Sequence, residues 1–388
     1  GTISATATST AYSEAVGVLV RNLPSATLFN SGAIKAAATA TYYPEASGVS
    51  VEAIQHGGTL TNSGTIDATA TGGGGAYKSA VMAYGARIWR LNGTLINSGT
   101  ISATATATDD AYPGDATAHG VDIRQFDDGA LANSGLIAAA ANATGDSRAV
   151  AIAVSRGAGR IDNLAGGHVR GHLQIDEAVA LNNAGHILIP ALDFGRAAGE
   201  GERFAGSYVR NNYTQQTGGV LELGVHSVSR YAALEVGGVA DFTESNALAV
   251  NLDPAHAISP GDALAHVVTA GTLSSPRAFE VTDNSALLDF TAEIVDSGAD
   301  EAASRRSEAV AGNAINLIAV NNTDYCGRSV STARTGPCEV AFDSPTLTVT
   351  PTGSITGASS GINVLTGTST SITNSGTVSG SDYGIYFM

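Results

Sequence analysis

Two histidines, His168 and His172, stand four residues apart in the segment Gly167–His172 and could bind a transition metal through imidazole nitrogens. At this spacing in an extended strand, both side chains lie on the same side. A zinc site needs further ligands, and the sequence places no third one nearby. Histidines in a turn or at the surface are the alternative interpretation, so no metal site is predicted here.

Aspartates cluster in one acidic turn and could gather Ca²⁺ through carboxylate oxygens. The candidates are Asp109, Asp110 and Asp115, with Asp127 and Asp128 one strand further on. Their spacing matches neither an EF-hand nor the RTX nonapeptide repeat. Solvated turn acids are the alternative interpretation, so no cofactor is expected and Ca²⁺ remains a hypothesis for these three residues.

Charged residues recur at comparable positions of short apolar strands: Arg21, Glu52, Asp122 and Arg124. Polysaccharide-degrading enzymes of stacked β-structure place such groups on one exposed face, where paired carboxylates act as acid and base. Tyr84 and Ala153 interrupt this column, as expected for an ordinary solvated face. A Gly-Asp-Ser-Gly nucleophile loop is absent from the sequence. We therefore predict no catalytic residues, and a polysaccharide-degrading enzyme is the alternative function.

Threonines alternate with small residues in several tracts and suggest a second alternative, ice binding. Rows of Thr-x-Thr on a flat stacked sheet would present hydroxyl groups at a regular spacing of roughly 6.6 by 4.8 Å. Ordinary threonines on a β-surface explain the same tracts. The pairs are Thr6 and Thr8, Thr39 and Thr41, Thr69 and Thr71, and Thr104 and Thr106.

The chain has two cysteines, Cys326 and Cys338, which flank a polar loop that contains glycine and proline. A local pair of this kind predicts a disulfide in an oxidising compartment. Closing a loop of this length stabilises a protein by roughly 3 kcal/mol in the chain-entropy model.

Composition limits the classes of partner. The formal net charge is −16, and charged residues make up 14% of the 388 residues. Such an acidic chain does not suit binding to nucleic acid or to an anionic membrane through phosphates. No apolar run is long enough to cross a bilayer, so membrane insertion of this segment is not expected. Gly1 and Met388 both fall in mid-repeat, which suggests a piece of a longer exported chain.

The sequence contains a repeat of the form aliphatic-x-Asn-small-Gly-x-aliphatic, and the strands of this repeat must position the residues above. Successive asparagines are separated by 62 − 30 = 32, 97 − 62 = 35 and 133 − 97 = 36 residues. A constant period in this range is typical of a repeat architecture. The predicted turn ladder consists of Asn30, Asn62, Asn97, Asn133, Asn183 and Asn374, and Ile161–Asn163 is a degenerate copy.

A second apolar column follows each copy of the repeat, and tracts of period two join the columns. The second column is predicted to contain Val18, Val49, Val81, Val121 and Val150. Alternation of this kind indicates strands, and no helical period occurs in this half of the chain. Because one repeat cannot bury its own apolar face, the repeats must stack with like strands parallel. The predicted fold is all-β, a right-handed parallel β-helix.

Changes in the period predict three regions. Residues 1–193 form a β-helix of Asn-Ser-Gly repeats. Residues 194–350 form a less regular β module that continues the solenoid and carries the disulfide loop, and residues 351–388 begin a second block of short rungs.

The Asn-Ser-Gly-Thr-Ile-Ser rungs, together with the segment 213–224 (Tyr-Thr-Gln-Gln-Thr-Gly-Gly-Val-Leu-Glu-Leu-Gly), resemble passenger regions of Gram-negative autotransporters, the type V secretion system. The resemblance implies export across the outer membrane and an extracellular or cell-surface location. We therefore expect a non-catalytic structural or adhesive rod. Its expected partners are other copies of itself or the rest of a longer chain, through the β-helix ends, and a host or cell-surface glycan or protein. The aromatic residues Tyr42, Tyr43, Tyr77, Trp89 and Tyr112 are the candidate contact ladder.

Overall fold

The computed structural model describes residues 1–73, 80–108, 114–176, 178–191, 206–275, 278–296, 313–322, 329–330, 333–340, 346–365 and 371–387. Every regular element within these ranges is a β-strand. The described residues contain no helix with the length and apolar character needed to cross a membrane.

The first stack begins with strands of four to twelve residues that recur in sets of three. These strands are β1 (Thr2–Ser9), β2 (Tyr12–Leu23), β3 (Thr27–Asn30), β4 (Ala33–Ala40), β5 (Tyr43–Ile54), β6 (Thr59–Asn62), β7 (Thr65–Gly72), β8 (Ala80–Ile88), β9 (Thr94–Asn97), β10 (Thr100–Ala107), β11 (Asp115–Ile123), β12 (Phe126–Asn133), β13 (Leu136–Ala143), β14 (Ser147–Val154) and β15 (Gly157–Asn163).

The stack continues with shorter and less regular strands. They are β16 (His168–Arg170), β17 (His172–Ile175), β18 (Ala178–Asn183), β19 (His186–Ile189), β20 (Ser207–Val209), β21 (Tyr213–Gln215), β22 (Val220–Ser227), β23 (Arg230–Tyr231), β24 (Leu234–Asp241), β25 (Ala247–Ala257), β26 (Ala263–Ser274), β27 (Glu280–Asp283), β28 (Leu288–Asp296) and β29 (Asn313–Asn321).

Like strands of successive rungs pair in parallel and form three columns. The first column runs in the order β1-β4-β7-β10-β13-β16-β19-β22-β25-β27. The second starts at β2, β5 and β8 and the third at β3, β6 and β9, and both reach β24. This arrangement confirms the predicted parallel β-helix. It ends differently, because β29 pairs antiparallel with both β26 and β28.

A second stack of short parallel strands follows and has its own core. Its strands are β30 (Ser329–Val330), β31 (Ala333–Val340), β32 (Thr346–Val349), β33 (Ser354–Val364), β34 (Ser371–Asn374), β35 (Thr377–Ser379) and β36 (Tyr383–Phe387). They form one sheet in the order β30-β32-β34 and another in which β33 pairs with β31, β35 and β36. Val349, Ile355 and Ile362 are fully buried between them.

The asparagines of the first stack form one directed ladder of side-chain hydrogen bonds. In each link the Nδ2 of one asparagine donates to the Oδ1 of the next, at 2.7–2.8 Å. The ladder comprises Asn30, Asn62, Asn97, Asn133, Asn163 and Asn183. It ends where Asn183 Nδ2 donates to the hydroxyl of Tyr213, which donates in turn to Gln215 Oε1. Asn374 lies in the second stack, beside Val349.

Two adjacent cores fill the long rungs. The aliphatic core contains the columns of leucine, isoleucine and valine, while the alanine core contains Ala38, Ala70, Ala105 and their neighbours. At β16 and β19 the strands of the first column have three and four residues, compared with eight in β13. The spacing between successive ladder asparagines decreases at the same place to 183 − 163 = 20 residues. These rungs are shorter because they lack the alanine segment.

The second apolar column differs from the prediction in two residues. Val18, Val49 and Val121 do stack, but Ala86 and Ile152 complete their column. Val81 pairs instead with Ala116, and Val150 pairs with His119. The prediction of Val81 and Val150 was wrong because the strands carry an irregularity at a glycine column, where the alternation of buried residues slips.

We expect the substitution Ala105→Leu to destabilise the first stack by about 1–3 kcal/mol, because added methylenes force a packed core apart. Ala105 is fully buried between Ala70 and Ala141 of the neighbouring strands. The matched control is Thr104→Leu, one residue earlier on the outer face, with an expected change below about 1 kcal/mol. Urea denaturation of both variants measures the difference, and equal losses would contradict the alanine core.

Candidate functional site

A kink in the second column sets the positions of the polar and aromatic side chains around Arg87. In β8 the inward positions are Ala83 and Ala86, three residues apart, so the period-two alternation slips at Gly85. A Cβ at Gly85 would lie 2.6 Å from the carbonyl oxygen of Gly120, so only glycine fits there. Arg87 follows the kink and is partly exposed, whereas Tyr84 precedes it and is only 3% exposed.

Arg87 joins charged residues of three successive rungs. Its Nη1 lies 2.5 Å from Glu45 Oε1 on β5, and its Nε lies 3.9 Å from Asp122 Oδ2 on β11. Asp122 also accepts a hydrogen bond of 3.0 Å from Arg124 Nε. Both carboxylates are thus engaged by guanidinium groups, and Asp122 is only 2% exposed. The arrangement orders the arginines and leaves Asp122 little access to a substrate.

Trp89 is the exposed aromatic residue of this surface, with 50% of its area accessible. It follows Ile88, which pairs with Val51 and Ile123. The Arg87 Cζ atom lies 5.1 Å from the centre of the Trp89 ring and 4.4 Å from that of Tyr84. These cation–π contacts hold Arg87 between the two rings.

A second polar row borders Trp89 at the next corner of each rung. Arg90 Nε donates to Asp127 Oδ2, and Gln125 Nε2 donates to Asp127 Oδ1 at 2.7 Å. Arg156 Nη2 donates to Gln125 Oε1 at 3.1 Å. We name the whole surface the arginine face, defined by Glu45, Arg87, Trp89, Arg90, Asp122, Arg124, Gln125, Asp127 and Arg156.

Burial and charge shift the pKa values of the groups at the kink. Burial raises the pKa of the Asp122 carboxyl, and the positive charges of Arg124 and Arg87 oppose this. Burial, reinforced by the charges of Arg124, Arg148 and Arg87, lowers the pKa of His119 to about 4. The His119 ring stacks on Tyr84 at 5.3 Å, and its Nδ1 is buried without a hydrogen bond. His119 is therefore a neutral, packed side chain at pH 7.

The two histidines of the segment Gly167–His172 do not share a site. Gly171, with a φ of +135°, separates β16 from β17. His168 packs edge-on against His186 at 5.6 Å, and His186 Nε2 lies 2.5 Å from Glu222 Oε2. His172 instead contacts Ser207 Oγ at 3.2 Å through its Nδ1. Among the described residues, no group of three or more His, Cys, Asp or Glu is arranged to hold a metal ion.

Several predicted residues fall partly or wholly outside the described ranges. Of the Ca²⁺ candidates, Asp109 and Asp110 lie outside them, and Asp115 accepts a hydrogen bond of 3.1 Å from the Asp146 amide. Cys338 is fully buried in β31, but Cys326 lies outside the described residues, so the disulfide stays a prediction. Tyr77 and Tyr112 also lie outside them.

The threonine tracts lie on the outer face of the first column. Thr8, Thr39, Thr71 and Thr106 stack in one file. The neighbouring file contains Thr6, Thr69 and Thr104 but is broken by Ala37 and Ala140. Ice binding therefore stays a hypothesis, which a measurement of thermal hysteresis decides.

Sequence reasoning missed the arginine face as a unit, although it named Trp89, Asp122 and Arg124 separately. Arg87, Arg90 and Arg156 carried no local motif, and their partners lie 31–42 residues away in the chain. The one available signal was the concentration of arginine close to the single tryptophan of the chain. No protein-family model matches this chain, and no curated protein matches it either.

Proposed function

We propose that this chain is a non-catalytic, extracellular rod of the autotransporter-passenger kind, with a structural or adhesive role. The observation that carries the proposal is the in-register parallel stack with its continuous asparagine ladder. Each rung contacts mainly its neighbours, so such a stack grows in one dimension and gives an extended surface. The passenger-like segment 213–224 lies within the same stack and supplies Tyr213 and Gln215, which end the ladder.

A non-catalytic role is supported by the state of the charged residues on the arginine face. General acid–base catalysis requires a group within hydrogen-bond reach of the substrate. Here Glu45 and Asp122 both pair with Arg87, and Asp122 is buried. The arginine face is therefore better suited to binding a ligand through several polar groups than to transferring a proton through one of them.

We further propose that the edge formed by the first rung takes another rung, from a second copy or from the rest of a longer chain. Among the described residues, β1, β2 and β3 each pair on one side only, with β4, β5 and β6. Such an edge presents free backbone donors and acceptors. Ile3 and Phe29, at 50% and 60% exposure, mark it as an apolar surface as well.

Electron microscopy of the native protein as isolated from cells tests the proposal. We expect rods, either single and surface-tethered or joined end to end into filaments. Ile3→Asp and Val378→Asp should abolish end-to-end joining, because each places a charge in an apolar file at a rung edge. Compact particles without a long axis would overturn the rod, and filaments unchanged by both substitutions would overturn joining through these edges.

A further inference from the structure

We propose that the arginine face binds an uncharged glycan, with the Trp89 ring as its stacking platform. This inference rests on the proposed adhesive function and names the class of ligand. Trp89 and the guanidinium groups beside it belong to the residue types that concentrate binding energy at interfaces.

The charge balance of the arginine face argues for an uncharged ligand. Arg87, Arg90, Arg124 and Arg156 contribute four positive charges, and Glu45, Asp122 and Asp127 contribute three negative ones, so the face is nearly balanced at 4 − 3 = +1. The whole chain carries −16. A polyanion would have to displace carboxylates that already pair with these arginines, and an uncharged ligand would not.

The hydrogen-bonding state of the face suits hydroxyl groups, which both donate and accept. Arg90 and Arg124 engage their carboxylates through Nε, with 58% and 40% of each side chain exposed. Because a guanidinium has five N–H donors, the terminal N–H groups of both arginines remain to donate to a ligand. Each Asp127 oxygen accepts one described hydrogen bond and retains a lone pair. The same surface therefore presents donors and acceptors side by side.

The repeat of the stack matches a polymeric ligand. Arg90, Gln125 and Arg156 occupy equivalent positions of successive rungs, because their carbonyl groups accept the same kind of inter-rung hydrogen bond. Rungs are spaced roughly 4.8 Å apart, close to the length of one pyranose unit along a glycan chain. A glycan lying parallel to the stack axis would meet one polar side chain per sugar, with the apolar face of one ring on Trp89.

The experiment uses the fluorescence of Trp89, which is the only tryptophan of the chain. The intact chain is titrated with three uncharged hexasaccharides, cellohexaose, maltohexaose and mannohexaose, and with an anionic one, hexagalacturonate. We expect a saturable change in emission with at least one uncharged probe, insensitive to added salt. Binding of hexagalacturonate alone, or of no probe, would overturn the proposal.

Variants locate the site by calorimetry with the probe that binds. Trp89→Ala and Arg90→Gln should each weaken binding by about tenfold, corresponding to about 1.4 kcal/mol. The matched control is Tyr383→Ala, an exposed aromatic residue of β36 that lies outside the face, which should bind as the parent does. Both site residues are at least half exposed, so the variants should keep the parent's circular dichroism. Undiminished binding in Trp89→Ala would overturn the site. Rods that bind no uncharged glycan would refute this inference and leave the proposed rod standing.

Discussion

Replacing Asn183 with alanine is expected to lower the free energy of unfolding by about 3 kcal/mol, whereas Asn182→Ala should change it by less than about 1 kcal/mol. The two asparagines are adjacent in β18, but only Asn183 points into the core, where it is fully buried. Its Oδ1 accepts from Asn163 Nδ2 at 2.8 Å and from the Gly185 amide at 3.2 Å. Alanine would remove this acceptor, which leaves the buried Gly185 amide unpaired, and would also remove the donor to the Tyr213 hydroxyl and the Val220 carbonyl. Each buried polar group left unsatisfied costs about 1–3 kcal/mol.

Urea denaturation gives the comparison, and hydrogen exchange of amides in β15, β18 and β21 locates the loss. Asn182 makes one part-buried hydrogen bond, with Asp162 at 2.8 Å, so its variant controls for strand propensity and for the loss of an amide. Hydrogen exchange should accelerate first in the rungs next to Asn183, since contacts between neighbouring repeats stabilise a repeat stack. Equal effects of the two substitutions would show that the ladder contributes no more than a surface contact.

Acidification from pH 6.5 to pH 4 is expected to remove several kcal/mol of stability through two buried histidines. Burial lowers the pKa of both His119 and His172 to about 4, and Arg148 lowers both further as a nearby positive charge. In the unfolded chain both regain an ordinary pKa near 6.5. The unfolded state therefore binds more protons between these values, so stability falls as the pH falls. A shift of this size corresponds to roughly 3 kcal/mol for each histidine.

The double variant His119→Gln and His172→Gln should flatten the dependence of stability on pH between 6.5 and 4. Denaturation midpoints at half-unit intervals measure the slope. Asp122 acts in the opposite direction, because its raised pKa lets the folded state bind a proton more readily. The matched control is His56→Gln, since His56 is exposed in the turn after β5. A parent protein with a flat profile in this range would contradict the neutral, packed state of the two histidines.

The members of the asparagine ladder could be predicted from sequence where the turn after the asparagine is regular. The prediction was incomplete where that turn is irregular. In the regular turns the asparagine Nδ2 donates to the carbonyl two residues later, as it does in Asn30, Asn62, Asn97 and Asn133. The Asn-small-Gly motif identifies this turn in the sequence. Asn163 bonds to the Gly167 carbonyl, four residues later. Two extra residues in this turn remove the Asn-small-Gly motif from the sequence, although the Asn163 side chain keeps its position in the ladder. Asn374 shows the reverse, a motif without the ladder.

The arginine face and the histidine contacts could not be predicted, because both depend on the register between rungs. His168 and His172 are close in sequence, yet Gly171 turns the chain between them, and His168 meets His186 of the next rung. Arg87 meets Glu45 and Asp122 because β8 pairs with both β5 and β11. The slip at the glycine column displaced Val81 and Val150 from the predicted column for the same reason. Local patterns specify strands, while the lengths of connections decide which side chains become neighbours.

The direction of the asparagine ladder bears on how such a chain gains or loses length in evolution. Every link has the same donor and the same acceptor, so a duplicated repeat inserted among the regular rungs finds a partner on both sides. One gene duplication of about 35 codons would lengthen the stack by one rung, roughly 4.8 Å, without altering its neighbours. The ladder ends at Tyr213 and Gln215. The Tyr213 hydroxyl accepts a hydrogen bond from Asn183 Nδ2 and donates to Gln215 Oε1, so no further asparagine is bonded in the same way. Variation in repeat number should therefore concentrate before Tyr213.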